Sequence, residues 1–248
     1  MFTLVGWSQS QIGNPGLVGV NALPDPHIRV VSKDIIVPAL NQLASVYAIG
    51  ATLVGAQLQS PTLRRTLNLD VSPVEGATIP PNIPKFVDTH TTPLHLTTDE
   101  ALDAFVTDTA GTAEQDTVLA WLSDGNYNLP AGDIFTVKAT AATTLVAYAW
   151  TNAALTISQA LPAGRYAVVG MHAYSTGLIA ARLVFVGYQW RPGVIGLANN
   201  TSFNRGLFRY GNWGEFGEFA HNTPPTVDFF SSSADTAETV YLDLVKVG

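Results

Sequence analysis

Five histidines, nineteen acidic side chains and no cysteine set the chemistry open to this 248-residue chain. Thiol catalysis, Cys-type zinc sites, iron–sulfur clusters and disulfide scaffolds are excluded. His90 and His95 flank a Thr-Thr-Pro-Leu stretch just after Asp88. Metal binding needs convergent ligands, and a proline-containing linker gives no reason for convergence. Ordinary loop histidines are the expectation there, and no metal or other cofactor is expected anywhere. His27, His172 and His221 stand alone, and His172 lies between apolar neighbours as a core or interface group would. The run Asp124-Gly125-Asn126-Tyr127-Asn128 imitates the start of a calcium loop, but Leu129 and Phe135 occupy the positions that require glycine and glutamate. Glu215 and Glu218 are the one carboxylate pair a glycosidase reading would use, and it would need them across a cleft. No nucleophile elbow, P-loop or dinucleotide fingerprint occurs, so the chain reads as a non-enzyme.

The richest local signal is aromatic. Trp190, Phe203, Phe208, Tyr210, Trp213, Phe216 and Phe219 are interspersed with glycines, and Arg191, Arg205 and Arg209 lie among them. Aromatic faces on a loop can stack on sugar rings, while Trp, Tyr and Arg also concentrate energy at subunit interfaces. Trp190, Arg191, Phe208, Tyr210, Trp213 and Phe216 are the candidate interface or ligand-stacking residues.

The elements that must position these residues change along the chain. Residues 1–33 combine Gly and Pro with Leu and Val and few charges, and read as an extended arm needing a surface to lie against. From Pro38 an uncharged run continues through Gly50 and Gly55 to Ser60-Pro61, which predicts a long apolar helix over 38–58, roughly 31 Å in length. Leu40, Leu43, Tyr47 and Leu53 are its candidate assembly residues. Burial against its own domain or a neighbouring subunit is the leading reading of this helix, with a membrane span or a helix lying on lipid as alternatives. Five prolines make 66–96 an extended connector, and Thr97 with Glu100 predicts a capping box opening a short helix at 99–106.

From 117 the texture is β. Val118–Leu122, 134–139, 144–151, 154–158, 165–174, 178–188, 226–230 and 238–247 are rich in Val, Ile, Tyr, Phe, Trp and Thr and are separated by turn residues. Leu129-Pro130-Ala131-Gly132 recurs as Leu161-Pro162-Ala163-Gly164, each before a strand, as a turn with Gly at positive φ requires. The expected organisation is an arm, helix and connector over 1–114, followed by an antiparallel β-sandwich or jelly roll over 115–248.

Only 12% of residues are charged, against 47% apolar, and the net charge is −7. Eleven of the acidic residues fall in 66–137, opposed there by Lys85 alone. No basic cluster exists beyond Arg64-Arg65, so direct nucleic-acid binding is not expected. The N-terminus lacks the pattern of a secretory signal, which suggests synthesis in a host cytoplasm.

An apolar arm, an uncharged helix and a terminal run of strands from Leu129 to Tyr188, completed by the last strands after a long loop, resemble the jelly-roll coat proteins of non-tailed icosahedral viruses. The likeness is architectural. No basic arm is present, so the resemblance implies a coat protein of a DNA virus or phage rather than a small RNA virus, with no catalytic residues to carry over. It implies a homo-oligomeric shell in the virion, other virion proteins as further partners, and possible but not favoured membrane contact. The competing expectations are a carbohydrate-binding sandwich of the spike or receptor-binding kind, and a membrane-associated protein anchored by 38–58.

Overall fold

The computed structural model describes residues 1–65, 68–200 and 207–248. About half of the described residues are β-strand and 2% are helical. It forms two compact units. One comprises Thr3–Thr78 with Pro84–Gly125, and the other Asn126–Gly248 with Met1–Phe2 and Ile79–Ile83. The sequence suggests a boundary at 114/115. In the structure Thr117–Ser123 pairs with Gln42–Ile49, and the first unit runs on to Gly125.

The first unit holds two sheets. In one, Phe2–Gln11, Glu114–Ser123 and Gln42–Gly50 are neighbours, and the short strands Glu75–Gly76, Val87–Asp88 and Leu94–His95 pair with Gln42–Gly50. In the other, Ala101–Asp108 is central, between Leu53–Gln59 on one side and Asn14–Gly19 and Asp34–Ile36 on the other. The expected arm is therefore woven into both sheets. The proline-rich connector supplies only strands of two or three residues, as missing N–H donors dictate.

The predicted helix over 38–58 does not exist. Leu40 lies in a loop, Leu43 and Tyr47 belong to the strand Gln42–Gly50, and Leu53 opens the strand Leu53–Gln59. Every residue from Leu43 to Gly50 is buried. A strand covered on both faces carries the same unbroken apolar run as a buried helix, so periodicity cannot separate them. A turn at Ala51-Thr52 moves the chain from one sheet to the other, and the four assembly candidates Leu40, Leu43, Tyr47 and Leu53 are all buried inside this unit. Among the described residues no helix is long and apolar enough to cross a membrane.

The helix among the described residues is Pro61–Arg64, which begins where the long one was expected to stop. Ser60 caps it by accepting from Leu63 N–H at 3.1 Å. Glu100 keeps one half of the expected capping box, accepting from Thr97 N–H at 3.1 Å, yet the chain then enters the strand Ala101–Asp108. Its other oxygen accepts from the N–H and O–H of Thr62 at 3.0 and 2.8 Å, so Glu100 caps a helix elsewhere in sequence.

The second unit has a five-stranded sheet in the order Thr156–Ile157, Ile134–Ala141, Glu238–Lys246, Arg165–Tyr174, Gly217–Ala220. Its four-stranded sheet runs Thr151–Ala154, Thr226–Ser231, Leu178–Val184, Gly193–Ile195. All their strand pairs are antiparallel. The predicted strand over 144–151 is mostly irregular, and strand begins at Thr151. Gly132 and Gly164 both take positive φ, at 140° and 149°. The two turns open the strands that flank Glu238–Lys246 on either side. Ser175-Thr176-Gly177 forms a turn, but the strands it joins belong to different sheets.

Candidate functional site

Strand alternation in the five-stranded sheet sorts its residues into two faces. Val137, Leu242 and Met171 form one cross-strand row, with Ala139, Val240 and Ala173 beside it, and all are buried. The opposite face carries Thr136, Asp243 and Gly170 in one row, then Lys138, Tyr241 and His172, then Thr140, Thr239 and Tyr174.

Asp243 is 0% exposed and is the hub of this face. It accepts from Thr136 Oγ1 at 2.7 Å, Arg209 Nε at 2.6 Å, Arg209 Nη2 at 2.7 Å and Tyr210 N–H at 2.9 Å. Four donors, two from one guanidinium, satisfy a buried carboxylate whose burial would otherwise be costly. Gly170 makes the approach feasible, since a Cβ there would lie 2.3 Å from Asp243 Oδ2 and 2.8 Å from Tyr210 N. Burial works against the charge of Arg209, but Asp243 outweighs it and holds the guanidinium pKa above its usual value. The guanidinium lies 4.7 Å from the centre of the Tyr210 ring.

Beside this clamp three rings gather. His172 and Tyr241 are 6.1 Å apart, Tyr174 and Tyr241 6.4 Å, and His172 and Tyr174 5.8 Å, with Tyr174 and Tyr241 inclined by only 21°. All three are half-buried. Burial first, and then the Arg209 charge, push the His172 pKa below its usual value, which favours the neutral imidazole. The face thus presents aromatic surface beside a fixed cation, Lys138 and threonine hydroxyls.

The six residues singled out from the sequence are not one surface. Phe208, Trp213 and Phe216 are core, at 3%, 1% and 4% exposed. The Trp213 ring sits 5.2 Å from Phe2, 5.1 Å from Phe208 and 5.9 Å from Tyr127, so it is not presented to a sugar. Gly211 and Gly214, at φ of 81° and 68°, take turns that bring the backbone onto Leu129 and Tyr127. Tyr210 is 57% exposed, and Trp190 is half-buried. Arg191 joins a buried ion cluster. Arg191 Nη1 contacts Asp228 Oδ2, Arg182 Nε donates to the same oxygen at 3.0 Å, and Asn152 Nδ2 donates to Oδ1 at 2.8 Å. Arg182, 1% exposed, stacks 4.1 Å from the centre of the Trp150 ring. Phe203 and Arg205 lie outside the described residues.

The carboxylate pair separates by environment. Glu218 is bound by Arg165, with Nη2 at 2.7 Å and Nε at 3.1 Å. Glu215 lines a small cavity with Asn126, Asn128 and Phe216, and burial followed by the charge of Glu218 raises its pKa. His90 Nδ1 contacts Asp88 Oδ1 at 2.7 Å, and among the described residues no three His, Asp or Glu side chains form a metal-ligand group.

Asp243, Asp228 and Arg182 are not among the residues that spacing and composition single out. Each is a lone charge between apolar neighbours within a strand, Leu242-Asp243-Leu244, Val227-Asp228-Phe229 and Ala181-Arg182-Leu183. In a chain so poor in charge, that placement is the signal of a buried, partnered ion.

No protein-family model matches the chain, and no curated protein matches it. Among solved structures, a Paenibacillus xanthan lyase aligns with all of this chain at 11% identity and a TM-score of 0.27. The chain spans a quarter of that protein's length, and a likeness at this level carries no argument about fold or activity.

Proposed function

We propose that this chain is a non-catalytic structural protein that assembles with copies of itself, of the capsid-subunit kind, with its terminal unit a β-sandwich of jelly-roll type. The observation that carries the reading is a surface poor in charge and dotted with aliphatic side chains. Glu75, Asp108, Asp116, Arg182, Asp228, Glu238 and Asp243 are buried, so a chain already only 12% charged shows still less charge to water. Meanwhile Ile12 and Val54 in the first unit, and Ile83 and Val186 in the second, are 68%, 57%, 72% and 82% exposed. A low share of surface charge weakens the barrier to association between copies. The contacts fall to these exposed positions rather than to a free arm or a long helix, because 1–33 and 38–58 are folded into the sheets of the first unit. The place of such a subunit is the virion shell, beside other virion proteins and without direct contact to the genome.

Light scattering and negative-stain microscopy of the detergent-free protein test this. Closed shells or large regular oligomers are the expected result, and Val186→Asp with Ile83→Asp should shift them toward small species. A monodisperse monomer at high concentration would sink the reading.

A second reading rests on the Tyr174–Tyr241 strip, whose rings and neighbouring cations suit a saccharide. It predicts measurable binding in calorimetry against a panel of neutral and acidic oligosaccharides, with Tyr241→Ala lowering affinity about tenfold and Trp190→Ala leaving it unchanged.

A further inference from the structure

In the first unit two carboxyl groups meet at the joint between the sheets. Asp108 ends the strand Ala101–Asp108 of one sheet, and Asp116 lies near the start of Glu114–Ser123 in the other. They are 3% and 0% exposed. The turn at Ala51-Thr52, which also crosses between the sheets, packs against both. Thr52 Oγ1 donates to Asp108 Oδ1 at 2.6 Å, and a Cβ on Gly50 would overlap Asp116 Oδ1.

The two groups differ in their donors. Asp108 Oδ1 accepts from Thr52 and from Ala110 N–H, which suits an ionised carboxylate. Among the described residues neither oxygen of Asp116, nor Asp108 Oδ2, meets an N–H or O–H donor. What faces Asp116 is acidic, namely Asp108 itself and Glu114, whose Oε2 accepts from Thr52 at 3.3 Å. A hydrogen bond between two carboxyl groups requires a proton on one of them. Two adjacent buried anions without a cation would be untenable.

We propose that Asp116 and Asp108 share one proton, and that this proton is a latch holding the two sheets of the first unit together at their crossover turns. The proton resides on Asp116, because Asp108 already takes its donors as an anion. Burial, then the hydrogen bond and charge of Asp108, then the charge of Glu114 push the Asp116 pKa up from 3.8 to about 8. Burial also raises that of Asp108, but the donors from Thr52 and Ala110 outweigh it and leave it below its usual value. The unfolded chain surrenders the Asp116 proton near pH 4, so stability from the latch is complete below that and drains away as pH climbs toward 8. Asp108 acts in the opposite sense, costing stability only as pH falls below its usual carboxyl range. This inference does not rest on the shell reading.

The test is amide hydrogen exchange of the full chain from pH 5 to pH 9, corrected for intrinsic rates and read in segments 50–53 and 108–117. Wild type should lose protection there by tenfold or more across the range, with the same segments of the folded variants as the reference. Asp116→Asn mimics the protonated carboxyl and should hold protection flat. Asp108→Asn supplies a donor to an ionised Asp116 and should also flatten the profile, which keeps the test open if the first variant does not fold. Equal pH dependence in wild type and a folded variant would overturn the latch. So would protection of wild type at pH 8.5 by millimolar calcium chloride, because the pair would then be a cation site.

Discussion

Replacing Trp213 with alanine is expected to destabilise the second unit by about 3–5 kcal/mol. The indole is 1% exposed and is packed at short ring-to-ring distances by Phe2, Phe208 and Tyr127, while Phe2 in turn packs on Phe216 at 4.8 Å. The segment around it cannot collapse into the space. Gly211 and Gly214 hold left-handed turns, and the backbone near Gly214 already touches Tyr127. A lost indole therefore leaves a cavity rather than a repacked core, and the cost approaches the upper end of truncation effects. In urea the midpoint of the second unit, followed by near-ultraviolet circular dichroism, should fall by about 1–2 M. Trp213→Phe, which keeps an aromatic face, should recover more than half of that. A midpoint unchanged in Trp213→Ala would mean that the indole is not core, and would return it to the candidates for ligand stacking.

Removing Asp228 is expected to cost about as much, roughly 3–5 kcal/mol, for a different reason. Two guanidiniums, Arg182 and Arg191, converge on one of its oxygens, and Asn152 donates to the other. Arg182 is 1% exposed and cannot turn to water without dragging its contact with Trp150. In Asp228→Ala that charge loses its carboxylate while staying buried, and the penalty is desolvation rather than lost packing. Arg182→Met in the same background should therefore restore a sizeable part of the stability, although it removes a further polar contact. Urea unfolding of the single and double variants measures this directly. A double variant less stable than Asp228→Ala would show that Arg182 works through its stem and its stacking on Trp150 rather than through its charge.

Both predictions concern residues whose roles the sequence exposes unequally. Trp213 stands out as an aromatic in a glycine-rich loop, a pattern shared by binding platforms and by tightly wound core. The placement of Phe2 and Tyr127, both remote in sequence, decides for core. Asp228 is inconspicuous as one acidic residue among nineteen. Its meaning appears once pairing of Thr226–Ser231 with Leu178–Val184 sets it directly opposite Arg182.

The amino-acid sequence by itself determined the β character of residues 118–247, most strand positions there, and the positive-φ glycines after Pro130 and Pro162. These follow from β-branched and aromatic runs cut by turn residues, and such signals act over a few residues. It also determined the scarcity of charge, which is a matter of counting. The tertiary structure alone decided that 38–58 is two strands rather than a helix, because burial on both faces erases the alternation that distinguishes them. It alone decided which sheet each strand joins, so that turns at 51–52 and 175–177 cross between sheets instead of closing hairpins. The pairings Asp108 with Asp116, Asp228 with Arg182 and Asp243 with Arg209 were likewise beyond the sequence. A buried charge is defined by its partner, and these partners lie far apart along the chain or, for Asp108 and Asp116, in different sheets.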